Sequence, residues 1–329
     1  MDLNGDGHMD LLSGSWPGEL FFFQGGPGRT FAAPEMLKDK TGEIINIGGG
    51  IQERPGEGIL IRGSVEWENT DGGTFVTYHG KRMESTPEKP ISSTGTASTV
   101  RAVDWDGDGD FDLIVGNTDG DVYLIPNEGT ATAYAFGKET KLQAGGRPVH
   151  VGARAGPYVA DWDGDGDLDL LVGEENGSVT LFRNTGSAKA PELAAGVQLV
   201  PPGRVEYGPQ APKQPQRGNR AKICVADWNG DGRPDLLVGD YGTLKPDRPD
   251  PTPEEQARYD QIQKELEPLE TRFSELIQKL RTADRPKTKE EQNKLYEDLN
   301  EISRKMSPLR SQLPREYEPH GWGWRFLRK

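Results

Sequence analysis

Asp2, Asn4, Asp6 and Asp10 place four oxygen-bearing side chains within nine residues, with Gly5 and Gly7 in the gaps. The pattern returns as Asp104, Asp106, Asp108 and Asp112, as Asp161, Asp163, Asp165 and Asp169, and as Asp227, Asn229, Asp231 and Asp235. Counting each loop from its first aspartate, an acid or amide holds positions 1, 3, 5 and 9, and glycine holds positions 4 and 6. Alternate carboxylates on a tightly curled backbone converge on one hard cation, and Ca2+ takes about six to eight oxygens in flexible geometry. Mg2+ keeps its waters and demands an octahedron, and Zn2+ calls for a Cys and His ligand set that these loops do not offer. Position 7 is His8, Asp110, Asp167 or Arg233, residues with no common side-chain donor, so the backbone carbonyl is assigned there. A glycine at position 6 permits the turn that lets this carbonyl point inward.

An EF-hand loop shares the first nine positions but needs a bidentate Glu at position 12 and a helix on either side. Here position 12 is Ser13, Val115, Val172 or Val238. The runs VRAV, PYVA and ICVA precede the last three loops, and LLSG, LIVG, LLVG and LLVG follow the four in turn. Short apolar, β-branched runs of this kind read as strands. A further apolar run follows in three copies, ELFFFQGG, DVYLIPNEGT and SVTLFRNTGS, after turn signals such as NTDGD and EENGS. The setting is strand, loop, hairpin. Copies begin at Asp104, Asp161 and Asp227, a spacing of about 60 residues that suits one blade of a radially repeated sheet. The expected fold is an all-β propeller of at least four blades, complete or not.

These four D-x-[DN]-G-D-G loops, each with its trailing apolar strand and glycine, resemble the FG-GAP or VCBS repeats, which are similar to the calcium-binding blades of integrin α-subunit propellers. The resemblance covers most of the chain outside about 45–95 and 250–318. It implies one Ca2+ per loop, about four in all. The implied ligands are Asp2, Asn4, Asp6, His8 and Asp10; Asp104, Asp106, Asp108, Asp110 and Asp112; Asp161, Asp163, Asp165, Asp167 and Asp169; and Asp227, Asn229, Asp231, Arg233 and Asp235. His8, Asp110, Asp167 and Arg233 enter through their carbonyls. Asn4 and Asn229 lower the charge of the outer two sites, and only AFG at Ala135 matches the Phe-Gly half of the family's name. The resemblance further implies a module that binds protein or glycan in adhesion, secreted, periplasmic or at the cell surface, with no export signal in this chain. The alternative is a polysaccharide lyase on a similar scaffold, with His79 and Tyr78, or His150, Arg154 and Tyr158, as candidate catalytic groups. No catalytic residue is assigned.

The formal charge is −14 with a sequence pI near 4.9. Four bound Ca2+ would bring the charge from −14 to −6, so much of the acidity is ligand charge. No basic stripe offsets the remainder, which argues against nucleic acid as a partner. Abundant Gly and Pro with a mean hydropathy of −0.74 suit a loop-rich β protein, and no apolar run approaches the ~20 residues of a membrane span. The one cysteine, Cys224, lies in an apolar strand-like run and is expected to be a small core residue.

Two segments depart from the repeat. Residues 44–99 carry strand-like runs without a calcium loop and read either as a blade that lost its loop or as an insertion. Residues 251–314 carry apolar residues at 3-4 spacing: Tyr259, Ile262, Leu266, Leu269, Phe273, Leu276 and Leu280, then Leu295, Leu299, Ile302, Met306, Leu309 and Leu313. Each run opens on a capping box, Thr252 with Glu255 and Thr288 with Glu291, so an antiparallel helical hairpin is expected, reversing at ADRPK and kinked at Pro268 and Pro308. That hairpin is free to dock a partner or second protomer, or to fold back on the blades. Residues 1–250 are then blades, and 315–329, with Trp322, Trp324 and Phe326 on one buried face, complete the last. A loop at Asp2 with no leading strand suggests that Met1 opens a fragment, the rival being a small propeller with an atypical first blade.

Overall fold

The computed structural model describes residues 1–70, 72–281 and 288–328, and the chain is mostly β with two helices. It divides into two compact units. One comprises 1–206, 215–243 and 319–329, and the other 207–214 and 244–318.

The first unit holds four repeat sheets. The second sheet runs Thr99–Val103, Asp112–Gly116, Val122–Ile125 and Thr140–Lys141, each strand antiparallel to the next. The third repeats it as Gly156–Ala160, Asp169–Gly173, Val179–Phe182 and Val197–Val200. In these two sheets the acidic loop therefore joins a leading strand to a middle strand. The first sheet has Leu11–Gly14, the counterpart of those middle strands, at its edge, then Leu20–Phe23 and Glu35–Met36. The fourth has Asn219–Ala226, Asp235–Leu244 and Glu318–Phe326. Its third strand thus follows the whole helical segment in sequence.

Alternation along the middle strands decides the packing. Leu113 and Val115 join Leu20 and Phe22 in a core between the first and second sheets. Ile114 meets Leu170 and Val172 between the second and third, and Leu171 meets Leu236 and Val238 between the third and fourth. The glycine closing each middle strand sits where the next sheet enters. A Cβ on Gly14, Gly116 or Gly173 would lie 2.1 Å, 2.3 Å or 2.6 Å from the carbonyl oxygen of Ser98, Ala155 or Ala221. The same entering residues donate their N–H groups to the carbonyls of Ser15, Asn117 and Glu174, at 2.9–3.0 Å.

Cys224 is exposed, against expectation. Ala221 and Ile223 take the buried register of their strand, and the period of two turns Cys224 to the opposite face. Trp322 and Trp324 are half-buried rather than covered, and Phe326 is exposed.

Residues 44–99 form two three-stranded sheets. One is Gly50–Arg54, Gly58–Arg62 and Ile91–Thr94, and the other Glu66–Thr70, Gly73–Tyr78 and Lys81–Ser85. They close on their own core of Ile59, Ile61, Val76, Tyr78 and Ile91. Ile91–Thr94 runs parallel to Gly58–Arg62, unlike the antiparallel pairings of the second and third repeat sheets.

The second unit is built on α1 (Pro253–Arg281) and α2 (Lys289–Arg310). The expected capping boxes are formed: Glu255 N–H donates to Thr252 Oγ1 (3.3 Å) and Thr252 N–H to Glu255 Oε2 (2.8 Å), and Thr288 and Glu291 repeat the exchange. Ile262 and Leu266 pack with Met306, and Leu276 with Leu295 and Leu299, which is the pairing of an antiparallel hairpin. Both helices continue through Pro268 and Pro308. The expected reversal at ADRPK lies outside the described residues.

Candidate metal centres

The four loops have the same backbone plan. Position 1 caps the turn: both oxygens of Asp2, Asp104, Asp161 and Asp227 accept N–H groups from within their own loop, including those of positions 5 and 6, at 2.8–3.2 Å. The position-5 carboxylate accepts the position-7 N–H in every loop, Asp108 from Asp110 at 3.0 Å for example. Gly7, Gly109, Gly166 and Gly232 all have φ between 83° and 98°, and a Cβ there would meet nothing within 4 Å. The glycine is required by the left-handed backbone and not by space.

Position 9 has a role that the pattern did not reveal. Asp10, Asp112, Asp169 and Asp235 are buried, and each uses Oδ2 to accept the position-2 N–H, from Leu3, Trp105, Trp162 and Trp228 at 2.8–3.1 Å. Oδ1 accepts the N–H of Gly25, Asn127, Asn184 and Arg328, at the far end of the third strand, at 2.7–2.9 Å. One carboxylate therefore ties three parts of a repeat together. Arg328 occupies in the fourth repeat the place of Asn127 and Asn184, which the helical segment displaces to a sequence separation of 93.

The loops differ in what surrounds the expected metal. In the second, one oxygen from each of Asp104, Asp106 and Asp108 lies within 4.8 Å of the others, and in the third the same holds for Asp161, Asp163 and Asp169. Oxygens of Asp110, Asp163 and Asp167 are buried there with no hydrogen-bond partner. Burial pushes the Asp112 carboxyl up to about 6, with Asp106 and Asp110 adding repulsion. Asp110, Asp167 and Asp169 are also raised, by burial first and by neighbouring loop acids after it. Crowded carboxylates with orphaned oxygens are what a divalent cation would relieve. The side chains of Asp110 and Asp167 are thus available as well as their carbonyls, which sequence reasoning missed because His8 and Arg233 occupy the same position elsewhere.

In the outer loops amides do part of this work. Asn4 Nδ2 donates to Asp6 Oδ2 (3.1 Å) and Asn229 Nδ2 to Asp231 Oδ2 (2.9 Å). Gln24 adds a bond to Asp6. The Gln24 bond leads in holding Asp6 below its ordinary value, and the Asn229 bond does the same for Asp231.

Of the two candidate catalytic groups, only one is assembled. His79 stacks on Tyr78, with ring centroids 4.0 Å apart, and its Nε2 lies 3.6 Å from Glu19 Oε1. Glu19 is fully buried and accepts from Ser64 N–H (2.8 Å), Ser64 Oγ (3.0 Å) and Asn46 Nδ2 (3.3 Å). By contrast, His150 faces Asp121, Arg154 pairs with Glu175, and Tyr158 lies beneath Arg101.

The family model for the FG-GAP-like repeat matches residues 104–172 and 161–238, the two loops with the most crowded carboxylates and the fourth loop after them. Residues 104–238 carry FG-GAP-like repeats. No curated relative matches this chain. Among solved structures it is similar to an Agrocybe aegerita lectin described for specific recognition of non-reducing terminal N-acetylglucosamine, at 19% identity and a TM-score of 0.27. That match covers 60% of this chain and 50% of the lectin, so the chain spans half the length of the structure it matches.

Proposed function

We propose that the repeats at 1–250, completed by 315–329, are blades of a calcium-stabilised β-propeller. We assign it as the binding module of an exported or surface protein that engages protein or glycan ligands in adhesion. The observation that carries the calcium reading is the set of buried, partnerless oxygens on Asp110, Asp163 and Asp167 inside two crowded loops. Ligands drawn from one short loop leave no vacancy that a substrate must fill, so the metal is assigned to holding strands and not to chemistry. Isothermal titration of the metal-stripped chain with Ca2+ tests this. About four sites are expected, two tight in the second and third loops and two weaker in the first and fourth. No heat and an unchanged melting temperature would remove the calcium reading.

A second reading rests on His79, Tyr78 and buried Glu19, brought together from distant parts of the chain. A His and Tyr pair beside an acid is equipped to take a proton next to a uronate carboxylate, as a lyase requires. Release of unsaturated products from uronate polymers, abolished by His79→Ala with the melting temperature kept, would favour it over adhesion.

A further inference from the structure

The second and third acidic loops are near copies. Residues 104–112 and 161–169 differ at one place of nine, Phe111 against Leu168, and each loop offers five aspartates. Their backbone plan is also shared: position 1 accepts the N–H groups of positions 5 and 6, and position 9 reaches the end of the third strand. A difference in their hold on a cation must therefore come from outside the loop.

Such a difference lies one residue before the N–H that position 9 accepts. That place is held by Gln24, Pro126, Arg183 and Leu327 in the four repeats. Gln24 Nε2 donates to Asp6 Oδ2 at 2.9 Å, so a side chain rooted here reaches the loop acids. Arg183 makes the same reach with a charge, its Nη2 pairing with Oδ2 of Asp163. Proline and leucine have no side-chain donor to offer. Asp163 belongs to the trio, with Asp161 and Asp169, whose oxygens lie within 4.8 Å of one another, and its Oδ1 is buried without a partner. The Arg183 side chain is 52% exposed against 15% for Asp163, so the guanidinium meets the acids from the solvent side.

We propose that Arg183 is a tethered competitor for the third loop. It neutralises Asp163 in the absence of metal and repels an entering dication, which makes the third loop the weaker of two otherwise matching sites. This rests on the calcium reading of the loops. An orienting role, in which Arg183 turns Asp163 Oδ1 toward the metal, has the opposite sign, because its loss would weaken binding. The second loop decides between the two: it brings oxygens of Asp104, Asp106 and Asp108 equally close with Pro126 at the matching place. The guanidinium is thus not needed to gather the acids, and what it adds is a charge that does not titrate away.

Isothermal titration of the metal-stripped full chain with Ca2+ tests this. The wild type should show one site roughly tenfold tighter than the next, a modest gap because a half-exposed charge is partly screened. In Arg183→Gln two sites should share the tighter affinity, while Arg183→Lys should keep the gap, with the same circular dichroism spectrum in all three. In a chain that still binds calcium, affinities left unchanged or weakened by Arg183→Gln, or a gap that Arg183→Lys also closes, would overturn the competition alone. No heat from any of the three would overturn it together with the calcium reading.

Discussion

At the scale of residues, the loop carboxylates set a pH dependence whose sign turns on the metal. Asp112 is pushed from 3.8 up to about 6, and Asp110, Asp167 and Asp169 move the same way. Without metal these carboxyls therefore hold more protons in the native state than in the unfolded chain between about pH 4 and 6, and their contribution to stability falls as pH rises through that window. Calcium binds only the ionised form, so its stabilisation grows over the same window. Melting temperatures of the metal-stripped chain should drop from pH 4 to pH 6, while those in saturating calcium should hold or rise. Parallel curves would mean that the loops hold no metal. Asn4 and Asn229 supply amide donors in place of a like charge, so the outer loops contribute less to this effect.

At the scale of elements, the sheets are joined through glycines that serve two separate needs. Loop glycines such as Gly166 serve the left-handed backbone, with φ of 94° and open space around them. Strand-end glycines such as Gly173 serve close approach, with the Ala221 carbonyl oxygen 2.6 Å from where a Cβ would be. Gly173→Ala should destabilise the fold by about 1–3 kcal/mol, because the third and fourth sheets must part to admit a methyl group. Gly239→Ala, at the aligned position inside a strand that runs on to Leu244 and with no atom closer than 3.7 Å to a Cβ, should change folding stability by no more than about 0.5 kcal/mol. Urea unfolding of both variants decides the matter, and equal losses would show that the glycines are needed for something other than sheet approach.

At the scale of the whole molecule, the repeat unit and the helical unit have separate cores, Leu171 with Leu236 in one and Leu266 with Met306 in the other. A ligand that binds one native unit raises the stability of that unit alone when the two unfold independently. Calorimetry should therefore resolve two transitions, of which calcium raises only that of the repeats, and Leu266→Ala should lower only that of the helices, by about 2–5 kcal/mol at the site. A single transition moved by both changes would refute this independence. Much of this was legible in the chain itself. The D-x-[DN]-G-D-G spacing, the alternating strands after it, the 3-4 apolar seam and the two capping boxes are local patterns, and local chemistry decides a turn, a period or a cap. Tertiary structure alone decided which face of a strand found a partner, so Cys224 lies exposed where an apolar run suggested a core. Tertiary structure also revealed that the position-9 aspartates reach the far end of the third strand, that residues 44–99 close on a core of their own, and that Glu19 lies beneath His79. Each of these depends on residues brought together from distant parts of the chain, and the spacing of residue types along a sequence carries no record of which distant backbone will fill a given face.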